Sequence, residues 1–266
     1  MAAHPRRRPR ALWLAGGAVA CAVALGAGLA GAASPAAGSS PPATATATQS
    51  APRAIASRPT TKEAWTARVL LSVHTRSAPR ASATKTSKLA VTAPYNGGPN
   101  VLLVVGASST AKDGVWYRVR LASRPNDAAG WVPAEAVRVE RTAYRVVVRL
   151  GARTLELQRA GKVVGKWSVA VGSTANPTPT GSFALSEIVR QSDPKGFFGT
   201  YILTLTAHSQ NLSEFDGGDG RIALHGTSQP QYLGQAVSHG CVRLANAVAT
   251  RIARTVPAGA PVDILQ

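Results

Sequence analysis

Sorted by where its apolar residues fall, the chain has three parts. Residues 11–33 carry no charge and consist mainly of Ala, Gly, Leu and Val. Residues 34–62 are dominated by Pro, Ala, Thr and Ser and show no periodic apolar face. From Trp65 onward, short apolar stretches recur between turn residues. Val69, Leu71 and Val73 alternate, the period-two pattern of a half-buried strand. Further strands are expected over 88–91, 101–105, 114–121, 130–132 and 136–139. A second series follows over 144–150, 154–158, 163–171, 182–185, 201–205 and 262–265. Residues 246–256 place Ala249, Ile252, Ala253 and Val256 at helical spacing, which predicts one amphipathic helix with Asn246 as its cap. Many short strands and one helix make the expected class mainly β, a small barrel followed by a larger β-rich domain.

The first two parts read as delivery. Arg6, Arg7, Arg8 and Arg10 precede the uncharged run, and Ala30-Gly31-Ala32 follows the small-x-small pattern of a cleavage site. Residues 1–33 are therefore expected to be a signal peptide or a membrane anchor, with the rest of the chain exported to the cell envelope. Residues 34–62 cannot bury enough surface to offset their ordering entropy, and are expected to form a disordered tether. Residues 63–140 and 141–266 are the two expected folded domains.

Charge narrows the partners. The chain carries net charge +18, yet its basic residues are scattered singly along the strands. No zinc-finger, helix-turn-helix or aromatic-interleaved basic motif is present, so nucleic acid is not the expected partner. An anionic cell wall suits an exported cationic chain. Asp216-Gly217-Gly218-Asp219-Gly220 lacks calcium-loop spacing and reads as a solvated turn.

Two stretches carry the candidate chemistry: His225-Gly226-Thr227 and Ser238-His239-Gly240-Cys241-Val242-Arg243-Leu244. They hold two of the five histidines and one of the two cysteines; the other, Cys21, lies in the apolar run. A thiol with nearby histidines suits a nucleophile activated by a base. In an extended strand His239 and Cys241 would face the same side. Gly226 and Gly240 permit close backbone approach, and the amides of Gly240 and Cys241 are candidate oxyanion donors. Residue types alone leave three readings open: nucleophile, a His/His/Cys zinc site, or an inert buried thiol.

The order of segments from an Arg-Ser-Ala-Pro turn through Trp116-Tyr117-Arg118-Val119-Arg120 to Gly130-Trp131-Val132-Pro133 resembles a bacterial SH3 domain. Trp116, Tyr117 and Trp131 are candidate groove residues there, and equally candidate core residues. Over residues 143–266, the His225 and Cys241 stretches, together with Thr178-Pro179-Thr180-Gly181-Ser182-Phe183, resemble the YkuD-type L,D-transpeptidase catalytic domain. That resemblance implies Cys241 as nucleophile and His225 as base, oriented by the carbonyl of Gly226, with His239 supporting. It implies Ser238, Gly240 and Arg243 near the donor peptide, and no metal or other cofactor. The implied partners are peptidoglycan stem peptides, donor and acceptor, joined through a thioacyl enzyme with release of D-Ala. An L,D-carboxypeptidase using the same acyl-enzyme and a non-enzymatic wall-binding protein are the alternatives.

Overall fold

The computed structural model describes residues 58–215 and 217–266, so the expected signal or anchor and most of the tether lie outside the described residues. Residues 58–62 fall within them. There the Thr60 hydroxyl accepts from the Glu63 amide at 3.1 Å, and the Thr60 carbonyl accepts from Arg145.

Seven strands form the first sheet: β1 (Ala64–Val69), β2 (Val73–Arg76), β3 (Lys85–Leu89), β4 (Val101–Thr110), β5 (Gly114–Arg120), β6 (Ala129–Pro133) and β7 (Val137–Thr142). They pair antiparallel in the order β3-β2-β6-β5-β4-β1-β7. The expected strand through Val69, Leu71 and Val73 is instead two strands. The amides of Leu70 and Leu71 both donate to the carbonyl of Ala136, turning the chain and leaving Leu71 59% exposed. On β5, Tyr117 and Val119 enter the core with Val69, Val104 and Val132. Trp116, Arg118 and Arg120 take the other face, as period two requires. Trp116 and Tyr117 are both buried, Trp116 donating its indole N–H to the carbonyl of Asp113 at 2.7 Å. This answers the groove reading for Tyr117 in favour of the core, while Trp116 is buried on the opposite face.

The second sheet is built from β8 (Tyr144–Arg149), β9 (Thr154–Arg159), β10 (Lys162–Ser168), β12 (Gly181–Arg190), β13 (Tyr201–His208), β14 (Arg221–His225), β16 (Val242–Arg243) and β17 (Pro261–Leu265). Its order is β10-β9-β8-β17-β12-β13-β14-β16. The β8–β17 and β14–β16 pairs are parallel. A separate parallel pair joins β11 (Val171–Gly172) to β15 (Ala236–Ser238). Val146, Val148, Leu155, Leu157, Leu203, Leu205, Val262 and Ile264 form the core. Helix α1 (Asn246–Thr255) closes it with Val248, Ala249 and Ile252. Burying each such side chain contributes roughly 1.5–3 kcal/mol before entropic costs. Mainly β with one α-helix is therefore the observed class for the described residues.

The sheets meet through Ala64, Leu103 and Ala184. Gly259 sits so close to β1 and β4 that a Cβ would lie 2.9 Å from Thr66, and its φ of +80° also favours glycine. Glu187 on β12 accepts from the amides of Tyr95 and Asn96, each at 3.0 Å, fastening a turn of the first sheet's strand connections onto the second sheet.

Candidate active site

The site forms where β14 and β16 run side by side. Their parallel register sets His225 beside Arg243 and Leu224 beside Val242. Continued by one residue, it sets Cys241 beside Ala223. Alternation then puts His225, Arg243 and Cys241 on one side of the ladder. All three line one narrow cleft of about 30 Å³, with His239 and Ser238 also at its wall. The remaining walls include Phe197, Phe198, Leu212 and Phe215. The space holds only a few waters, so the polar groups inside are poorly solvated.

His225 is 2% exposed. Its Nδ1–H donates to the carbonyl of Gly226 at 2.6 Å, a tautomer assigned from that carbonyl partner, which leaves Nε2 as the basic nitrogen. The ring of Phe198 meets it edge-on at 5.1 Å. Desolvation lowers its pKa to about 4; the Gly226 bond opposes the shift and the charge of Arg243 adds to it. Cys241 is half-buried and free. Desolvation raises its thiol pKa, while a backbone hydrogen bond with Ala223 and the charge of Arg243 act the other way. The resting pair is thus a neutral thiol and a neutral imidazole.

Arg243 is 7% exposed, with Nη1 donating to Gln229 at 3.2 Å and its guanidinium 4.9 Å from the centre of the Phe197 ring. No carboxylate lies within 4.0 Å of it among the described residues, and its buried Nε–H has no partner there. A buried guanidinium without a counter-ion is a ready site for a carboxylate.

The turn from Ser238 to Cys241 is tightly held, and it revises two expectations. Residues 239 and 240 are bends rather than strand, so His239 reaches the cleft across a turn and not by strand alternation. His239 is exposed and stacks on Phe215 at 5.3 Å. The Ser238 hydroxyl donates to the carbonyl of Cys241 at 2.5 Å and accepts from the amide of Gly240 at 3.1 Å. Ser238 therefore shapes the turn as well as lining the cleft. The Gly240 amide is likewise engaged and is not a free oxyanion donor. The Cys241 amide makes no hydrogen bond among the described residues. Gly240 has φ +118°, a conformation that side chains rarely adopt, which explains glycine at that position.

The roles of two supporting residues escaped the sequence reading. Thr178 accepts from the amide of Gly172 and donates to the carbonyl of Gly240, both at 2.8 Å, which ties the proline-rich turn to the Cys241 turn. Asn246 is no cap: Ala245 holds that position without a side-chain bond. Asn246 Oδ1 instead accepts from the amides of Thr227 at 3.0 Å and Thr200 at 3.3 Å. It occupies the space that a Cβ on Gly199 or Gly226 would need, at 2.0 and 2.2 Å. The glycine after His225 thus admits the amide that fixes the backbone on which His225 sits.

One cleft wall is fastened from the first sheet. Arg124 donates to the carbonyls of Ser209, Leu212 and Asp219, at 2.6, 3.0 and 3.2 Å. Asn126 exchanges two hydrogen bonds with the backbone of His208. Behind that wall Asp219 binds His208 at 3.2 Å and Arg221 at 2.9 Å, so the aspartate expected in a solvated turn is ion-paired. Asp216 lies outside the described residues. Among these residues no group of three or more His, Cys, Asp or Glu is placed to hold a metal ion, and no helix is long and apolar enough to cross a membrane.

Residues 143–264 match the family model of the YkuD L,D-transpeptidase catalytic domain. The putative L,D-transpeptidase YkuD of Bacillus subtilis is 36% identical over 121 residues, which cover 46% of this chain and 65% of that protein. The putative L,D-transpeptidase YqjB of the same organism is 32% identical over 126 residues, covering 45% of this chain and 69% of that protein. An L,D-transpeptidase from Mycobacterium tuberculosis is similar in structure over 60% of this chain and 75% of its own, with 19% identity and a TM-score of 0.40. The match thus spans a little under two thirds of the YkuD relative's length.

Proposed function

The chain belongs to the YkuD family of L,D-transpeptidases, and from that premise we propose that it cross-links peptidoglycan stems through a thioacyl intermediate on Cys241. The observation that carries this reading is that Cys241 lines one cleft with a buried, neutral His225 whose Nδ1–H is committed to the Gly226 carbonyl. As Cys241 Sγ attacks the carbonyl of an L-residue-to-D-Ala bond in a tetrapeptide stem, its proton passes to His225 Nε2. The Cys241 amide faces the developing oxyanion. The carbon–nitrogen bond then breaks, and the imidazolium gives its proton to the departing D-Ala amine. An imidazolium that ionises near pH 4 is a strong acid for that step. The amine of a neighbouring stem's diamino acid next attacks the thioester, forms the new amide and releases the thiolate, which regains a proton. The product is a 3→3 cross-link.

Arg243 pairs with a carboxylate of the donor stem, while its positive charge favours the thiolate over the thiol. His239 and Phe215 form the outer wall of the cleft. The rest of the chain serves delivery in this reading. Residues 1–33 export or anchor it, residues 34–62 tether it, and an SH3-like domain over 63–140 spaces the catalytic domain from 141 onward within an anionic wall.

The test is to incubate the full chain with tetrapeptide stems and follow products by mass spectrometry. Release of D-Ala with formation of a stem dimer supports the proposal. D-Ala release that yields only tripeptide, even with excess acceptor, replaces it with the L,D-carboxypeptidase. No D-Ala release with undiminished wall binding leaves the wall-binding protein.

A further inference from the structure

A second cavity, of about 370 Å³, lies between the two sheets, away from Cys241. One wall is the outer face of β5, carrying Arg118 and Arg120; the other is β8 and β17, carrying Arg145 and Asp263. Arg58 and Asp127 stand at its edges. Four arginines therefore face two aspartates. Arg145 is ion-paired with Asp263. Arg58, Arg118 and Arg120 have no carboxylate within 4.0 Å among the described residues. Arg120 gives one N–H to the carbonyl of Asp127, a neutral partner. The Nε–H groups of Arg120 and Arg145 are buried with no partner among the described residues. A buried N–H left unpaired is destabilising, so two at one cavity are a cost that an oxyanion would relieve.

We propose that this cavity binds the phosphate or carboxylate group of an anionic polymer, with Arg118, Arg120 and Arg145 as its ligands. Guanidinium groups suit both anions because their N–H pairs match two oxygens at once. Period two on β5 places Arg118 and Arg120 on the same face, one residue apart, so that both reach one anion. Burial also holds the Arg120 pKa below its ordinary value, with the Asp127 charge opposing and the Arg118 charge adding to that shift; a bound anion would offset the burial. Only the choice of a wall polymer as natural ligand rests on the family reading; the site itself does not.

The full chain is titrated with tripolyphosphate, and separately with poly-L-glutamate, at fixed physiological salt. Saturable binding at one site per chain is expected. Arg118→Gln with Arg120→Gln should weaken it at least tenfold, and Lys162→Gln, an exposed residue that does not line the cavity, less than twofold. Arg118 is exposed, so Arg118→Gln alone should fold normally and still weaken binding at least threefold. Whichever polyanion binds more tightly identifies phosphate or carboxylate as the source. Absence of saturable binding, or equal losses in Lys162→Gln and Arg118→Gln, would show only diffuse attraction to a cationic chain and overturn the site. D-Ala release by Arg118→Gln should match the parent, which separates failure of this site from failure of the catalytic reading.

Discussion

His208 and His225 sit on adjacent strands, both buried, both with pKa values lowered chiefly by desolvation. Their surroundings differ. His208 faces the carboxylate of Asp219, which also holds Arg221 and accepts from Tyr95 at 3.3 Å. Its backbone is locked by Asn126. Among the described residues His225 faces no carboxylate: one nitrogen meets a neutral carbonyl and the other side of its ring is a cleft with a thiol and a guanidinium that has no carboxylate partner there. A carboxylate beside a buried histidine stabilises its charged form and makes it a structural pair. A carbonyl fixes the tautomer while leaving the second nitrogen weakly basic and available. The contrast assigns structure to one histidine and chemistry to the other.

The contrast breaks first at the thiol. Cys241→Ala should lower acyl transfer by about a thousandfold or more while leaving the thermal midpoint nearly unchanged, measured by D-Ala release and calorimetry. His225→Gln should cost roughly a hundred- to ten-thousandfold in the rate of acylation, read in single-turnover mass spectra.

A third test uses pH. The unfolded imidazole of His225 takes up a proton near pH 6.5, whereas the folded one does so only near 4. The unfolded chain therefore binds more protons between those values. Stability present above pH 6.5 is lost as pH falls toward 4, by about 3 kcal/mol from this residue. His208, also lowered, adds in the same direction. Denaturant titrations across pH 4–7 should show that slope reduced in His225→Gln.

Smaller effects sharpen the assignment. His208→Leu should cost about 1–3 kcal/mol of stability yet keep D-Ala release within a few-fold of the parent. A loss of activity as large as that of His225→Gln would erase the distinction. Arg124→Ala frees three carbonyls of the wall that carries Phe215. It should speed amide exchange over residues 209–220 and lower activity only about two- to fivefold.

Much of this was legible in the chain. Strand positions follow from the apolar run Val146 to Val148 and from alternation at Leu155 and Leu157 and at Tyr117 and Val119, although Val147 and Glu156 are buried as well. The motif stretches placed the right residue types around one cleft. Most of what escaped was set by contacts distant in sequence. Leu71 keeps the alternating pattern but is turned outward by a carbonyl at Ala136. Asn246 has the residue type and place of a cap, yet its oxygen is taken by amides at Thr200 and Thr227. The Gly240 amide was a reasonable oxyanion donor until Ser238, two residues earlier, was seen to occupy it. In the first two cases a local rule gave way to a tertiary hydrogen bond, and in the third to a side chain two residues away.

The central claim is that Cys241 forms an acyl bond in a cleft where His225 is its base. The most direct measurement is the intact mass of the full chain after exposure to a carbapenem, followed by peptide mapping. One stoichiometric adduct on the peptide holding Cys241, absent in Cys241→Ala and formed far more slowly in His225→Gln, is the expected result. No adduct, or one that persists in Cys241→Ala, would contradict it.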